Sequence, residues 1–159
     1  MGNEFGQGRE WDCGQALDWD LLHWDWHQGI QRLSRDLAHL YRDIPALHVQ
    51  DFHSEGFSWV DCHDADQSVL SFLRWDRDGG FVLAVFNFTP VPRHNYRLGV
   101  PAAGRYHEIF NSDAGAYHGG NIGNLPQQAQ AQTWMGLPHS LELVLPPLGA
   151  IYLQLTGTE

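Results

Sequence analysis

The sequence predicts a mainly β chain: an antiparallel β-sandwich preceded by a tryptophan-rich loop and one α-helix. Three observations lead there. Residues 68–89 read as two strands joined at Asp78-Gly79-Gly80, a turn that needs glycine's backbone freedom. The second of those strands is apolar on both alternating faces, Phe81/Leu83/Val85 and Val82/Ala84/Phe86, as expected of a strand covered from both sides. Residues 48–157 break into short apolar runs separated by Gly, Pro, Asn and Asp, the rhythm of a sandwich.

Taken in order, residues 1–26 hold Trp11, Trp19, Trp24 and Trp26 among many acids, with no helical or strand period. They read as a long structured loop with short turns, and such a loop usually serves function. Trp19, Trp24 and Trp26 are expected to anchor it against the following helix. Over residues 27–43, Ile30, Leu33, Leu37, Leu40 and Tyr41 share one helical face, and Arg32, Arg35, Asp36 and His39 share the other. Asp25 or His27 is placed to cap the helix, and Pro45 marks its stop. A lone amphipathic helix must bury its stripe against something, so part of that stripe is expected to face a neighbour outside this chain. Strands are expected near residues 57–62, 69–76, 81–88, 95–100, 106–111, 141–145 and 150–155. Pro146-Pro147 separates the last two, because proline cannot donate to a ladder. Residues 112–139, rich in Gly, Asn and Gln, read as a partly mobile surface excursion.

The chain has 159 residues, a net charge of −10 and nine basic residues, all Arg. That balance argues against nucleic acid and anionic lipid, which need a basic face. The apolar runs are too short to span a bilayer. Met1 is followed by Gly2, Asn3 and Glu4 rather than by a basic and then apolar segment, so a cytoplasmic chain is expected. Cys13 and Cys62 are isolated and read as two reduced thiols, a single disulfide being the alternative.

No motif supplies a cofactor or a catalytic set. His23 and His27 have the i, i+4 spacing of paired metal ligands, but no HExxH pattern or third ligand accompanies them. Ser34, Ser68, Ser71 and Ser140 lie in no GxSxG elbow. Gly119, Gly120 and Gly123 lack the strand and helix that frame a phosphate cradle. Neither metal nor cofactor is expected.

Several stretches carry a resemblance: MGNEFGQGREW, then LDWDLL, HQGIQRLSRDLAHLYRDIPALH, SVLSFLRWDRDG, NFTPVPRHNYRLGVP, the run 117–121 and LPPLGAIYL. Together these resemble the C-terminal end of bacterial glycogen branching enzymes, members of the α-amylase superfamily. The resemblance covers essentially the whole chain. It implies that residues 1–47 are the last strand–helix loop and helix left over from a (β/α)8 barrel, and that residues 48–159 are the C-terminal all-β domain.

In that family an Asp nucleophile, a Glu acid and a second Asp at the top of the barrel cleave an α-1,4 bond. Configuration is retained through a glycosyl intermediate, and the glycan passes to a 6-hydroxyl, making α-1,6 branches. The resemblance places those three acids upstream of residue 1, so no catalytic residue is assigned here. The residues agree. Retaining chemistry needs two carboxyls roughly 5 Å apart in a shielded cleft. Asp18, Asp20, Asp25, Asp61, Asp64 and Asp66 instead sit in loops and turns.

The resemblance puts Glu4 and Trp11 on the loop bordering the active-site face, where substrate contacts lie. A tryptophan offers a flat apolar surface to a sugar ring. Tyr117 and Trp134 are candidate aromatics on the long excursion. The bland alternative is a loop hydrogen bond for Glu4 and packing under the barrel rim for Trp11. Two further roles stand beside the main reading: an independent α-glucan-binding module, and a docking domain with no ligand. The partners implied are α-glucan (glycogen or maltooligosaccharide) and a missing barrel of the same protein. Without that barrel, exposed apolar surface predicts self-association or disorder in residues 1–26.

Overall fold

A computed structural model describes residues 1–157. The last two residues of the 48–159 domain lie outside the described residues. Eight strands form two antiparallel sheets: β1 (Phe57–Asp61), β2 (Val69–Trp75), β3 (Phe81–Asn87), β4 (Arg93–Val100), β5 (Arg105–Asn111), β6 (Gln127–Gln128), β7 (His139–Leu145) and β8 (Gly149–Leu155). The larger sheet has the order β1-β2-β3-β8-β5-β6, and β4 pairs with β7 in the smaller one. One helix, α1 (Asp25–Asp43), precedes them.

The β2–β3 hairpin forms as its residues dictate, in unbroken register from Val69↔Asn87 to Trp75↔Phe81. Its turn is closed by Asp76, whose Oδ1 accepts from the amides of Asp78 (2.9 Å) and Gly80 (2.7 Å). Gly79 takes φ +84°, a left-handed conformation that strains any other L-residue. β3 is buried on both faces from Phe81 to Val85. Its inner side joins Leu98, Leu141, Leu143, Ile151 and Leu153 in the core between the sheets. Its outer side lies beneath the turn Pro45–Leu47 and helix α1.

Asn87 explains why the run 87–90 has the composition it has. Its buried amide donates to the carbonyls of Val91 (2.8 Å) and Pro146 (2.9 Å). Its oxygen accepts from the Thr89 amide (3.0 Å) and the Thr89 hydroxyl (2.8 Å). One side chain thus ties the β3–β4 connection to the β7–β8 connection, where Pro146 and Pro147 leave carbonyls with no ladder partner.

Residues 112–139 are more ordered than their composition predicts. They contain the 3-10 turn Gly115–Tyr117, strand β6 and bridges Gln130↔Ser140 and Trp134↔Leu137. The reason is polar side chains serving as turn closures. The Asp113 carboxylate accepts from the amides of Gly120 (2.8 Å) and Ile122 (2.9 Å), and Glu108 accepts from the Asn124 amide (3.0 Å). Cys13 and Cys62 are both free thiols.

Asn87→Ala would leave buried carbonyls unpaired and a small void, and is expected to cost about 2–4 kcal/mol. Urea unfolding of the variant against the parent chain checks this.

Candidate functional site

The amino-terminal segment is built by glycine geometry and one arginine. Gly2 and Gly6 flank the 3-10 turn Asn3–Phe5, both at positive φ. The Glu4 carboxylate turns back to accept from the Gly2 amide (2.9 Å), and backbone N–H groups hold it below the usual carboxylate range. Phe5 is buried and stacks on Trp19 at 5.1 Å. Residues 9–18 are closed by Arg9, which donates to Asp18 (2.6 Å), the Ala16 carbonyl (2.9 Å) and Gln15. Trp11 stands exposed on this loop.

Helix α1 meets the sheet's outer face through two attachments. At the first, Gly29 lies so close to the 115–118 turn that an added Cβ would sit 2.6 Å from the Tyr117 carbonyl oxygen. Arg32 donates to the Ala116 carbonyl (2.9 Å) and reaches His118 Nε2 at 3.1 Å. Since a guanidinium only donates, Nε2 is the acceptor and Nδ1 carries the proton. The Tyr117 hydroxyl donates to Asp36 Oδ2 at 3.0 Å. At the second attachment, Tyr41 and Arg74 both donate to Asp51, and these two hydrogen bonds hold its carboxyl below the usual range. Between the attachments Leu37, Leu40, Leu47, Phe72, Ala84 and Tyr152 leave an apolar cavity of about 300 Å³.

Several apolar residues at and along the helix are nonetheless bare. Trp24 is 66 % exposed, Trp26 is 70 % exposed, and Ile30 and Tyr41 are exposed as well. Trp24 and Trp26 therefore do not anchor the loop as expected. Phe5 and Trp19 perform that packing, and Trp26 instead lies beside His118 at 5.7 Å. A row of aromatic rings continues across the sheet's outer face from Tyr117 through Phe110, Tyr152, Phe86 and Phe72 to Phe57 and Trp59, with neighbouring centroids 4.9–6.2 Å apart. Trp59, at the edge strand β1, is 52 % exposed.

The four expected sugar contacts are placed differently from one another. Glu4 closes its own turn, Trp11 is free, and Tyr117 is half-buried with its hydroxyl committed to Asp36. Trp134 is exposed on a hairpin paired with Leu137, over Gly99. His23 and His27 both turn to backbone carbonyls, those of Asp20 and Phe5. Among the described residues no group of three His, Cys, Asp or Glu could hold a metal ion. Sequence reasoning missed the exposed pair Phe57 and Trp59, although their alternation with Ser58 and Val60 is the available signal. It also missed Gly29, whose signal is a glycine inside a helix.

Residues 59–156 match the family described as alpha amylase, C-terminal all-beta domain. This chain belongs to that family. It is 59% identical over 155 residues to the 1,4-alpha-glucan branching enzyme GlgB of Methylobacillus flagellatus, covering 97% of this chain and 21% of that protein. The GlgB of Nitrosococcus oceani is 56% identical over 156 residues, covering 98% of this chain and 21% of that protein. The chain therefore spans about a fifth of the length of these curated relatives. Among solved structures, alpha-amylase from H. orenii aligns over 80% of this chain and 20% of that one, at 16% identity and a TM-score of 0.49.

Asp51 yields a pH prediction. Because its folded carboxyl is held below the ordinary range, its contribution is present above that range and is lost as pH falls through the lowered value. Protection of the helix α1 amides, with their intrinsic exchange rates divided out, is expected to fall below about pH 4. Asp51→Asn should show the lower protection already at neutral pH and a weaker acid dependence; equal pH profiles for the two chains would refute the assignment.

Proposed function

We propose that this chain is the docking and stabilising portion of a 1,4-alpha-glucan branching enzyme and carries none of its catalytic acids. Residues 1–47 supply the last loop and helix of a (β/α)8 barrel, and residues 48–159 form the all-β domain that holds that helix in place. The complete enzyme would transfer an α-1,4-glucan segment to a 6-hydroxyl, acting on glycogen in the cytoplasm. No helix of the described residues is long and apolar enough to cross a membrane, which agrees with that setting.

The observation that carries this reading is the incompletely covered helix. α1 is latched to the rest of the chain through Gly29, Arg32, Asp36 and Tyr41, yet Trp24, Trp26 and Ile30 beside these contacts are left exposed to solvent. An exposed apolar surface of this kind marks an interaction site, and the relatives are about five times as long as this chain. The missing barrel is the natural occupant. In its absence the same surface would drive self-association.

A second reading, an α-glucan-binding module, is favoured by the exposed pair Phe57 and Trp59, whose rings stand edge to face at 4.9 Å. Glu4, Trp11, Tyr117 and Trp134 are its further candidate contacts.

Mixing this chain with the remaining length of a close relative tests the first reading. Branch formation on amylose is expected only in the mixture. Gln at both Trp24 and Trp26 should reduce the regained rate at least tenfold. Branching by the chain alone, or none from a mixture that forms a complex, would overturn the proposal.

A further inference from the structure

One cavity among the described residues belongs neither to the helix nor to the aromatic row. It lies beside the β2–β3 turn, has a volume of about 570 Å³, and opens to solvent. Gln50, His53, Glu55, Trp75, Asp76 and Arg77 line it. We propose that this cleft is a binding site for a short segment of neutral α-glucan, separate from the Phe57/Trp59 surface. The ligand class rests on the α-glucan reading of the chain; the place rests on the cleft itself.

The walls are fixed in advance. On one side runs the segment 50–56, on the other the end of β2 and its turn. The Gln50 amide joins them, donating to the carbonyls of Trp75 (3.4 Å) and Asp76 (2.8 Å). Arg74 joins them again, donating to the Gly56 carbonyl at 3.1 Å and to Asp51. Gly56 permits this approach, since an added Cβ there would lie 2.3 Å from the Gln50 carbonyl oxygen. A cleft held from both sides spares a ligand the ordering cost that weakens flexible sites.

The lining selects the ligand. The indole N–H of Trp75 is already spent on Ser58 Oγ at 2.8 Å, so the ring offers the cleft only apolar surface. Such surface suits the C–H face of a pyranose. Around it stand groups with capacity to spare. The Glu55 carboxylate accepts from Ser54 and its own backbone N–H and is otherwise open to solvent, and among the described residues no side-chain hydrogen bond occupies His53 or Arg77. Acceptors and donors thus stand about an apolar floor, groups that hydroxyls can satisfy. Charge narrows the class further. Glu55 and Asp76 beside a chain of net charge −10 repel anions, and Arg77 offsets part of their pull on cations, so an uncharged polyol enters without repulsion. The volume lies within the ordinary range for small-ligand sites, and the open side lets a longer chain pass through.

Titration of the isotope-labelled chain with maltoheptaose, followed by amide shifts, tests the site. Shifts are expected at Glu55 and at Arg77, Gly79 and Gly80, saturating near millimolar ligand. The double variant E55A/R77A changes only solvent-facing groups. It should weaken those shifts by about tenfold or more, while keeping the unfolding midpoint. Shifts confined to Phe57 and Trp59 would overturn the cleft and leave the α-glucan reading standing. No shift anywhere up to about 10 mM, a limit that covers weak sugar sites, would overturn both. Unchanged affinity in the double variant would overturn the cleft alone.

Discussion

The structure depends on one requirement: both faces of β3 must be kept from water. Its residues from Phe81 to Val85 are apolar without alternation, and a sheet strand of that kind is stable only as a middle layer. The β4/β7 sheet covers one face, and the turn Pro45–Leu47 with helix α1 covers the other. The helix is therefore no ornament on a complete sandwich. It is the third layer, and its position fixes where the amino-terminal segment and its tryptophans are presented.

The two coverings differ in kind. Between the sheets, Leu83, Leu98, Leu141, Leu143, Ile151 and Leu153 are buried in continuous apolar contact. Under the helix, Leu33, Leu37 and Leu40 are only half-buried, and a cavity of about 300 Å³ remains. What holds the helix is a small set of directed contacts at its two ends, several of them open to water and therefore individually weak. Free energies of local opening follow buried contact, so the helix and residues 1–26 must open more readily than the sandwich. Covering Trp24, Trp26 and Ile30 with a further layer adds burial where the chain alone has least.

How much of this was legible follows from the range of each signal. The hairpin, the helix and nearly every strand are written in local periodicity, and Asp76, Gly79 and Pro146 sit where turn chemistry requires them. β6 was illegible because two residues carry no period, and its pairing with Arg105 and Tyr106 is a matter of register across a long connection. The resemblance placed the all-β domain, but it did not foretell the fate of individual side chains. Tyr117 looked like a free loop aromatic, yet it is tied to Asp36, 81 positions away. Trp24 and Trp26 looked like anchors because tryptophan usually buries, yet Phe5 and Trp19 take that packing and leave both bare. The cleft at the hairpin turn could not be read at all, since Glu55 and Arg77 become neighbours only after Gln50 bridges two connections.

The absence of lysine bears on both halves of the argument. Of the nine arginines, Arg9, Arg32, Arg74, Arg93 and Arg97 each serve more than one acceptor, joining loops to loops, helix to turn, or strand to strand. A planar fork with several donors can hold two acceptors at once, which a lysine ammonium does less well. Most of the positive charge is thus consumed inside the molecule as structural crosslinks, while many of the acids remain at the surface. The outward field is negative, which disfavours anionic partners. A chain that spends its cations on holding loops together thus makes the sign of its own surface a consequence of its folding.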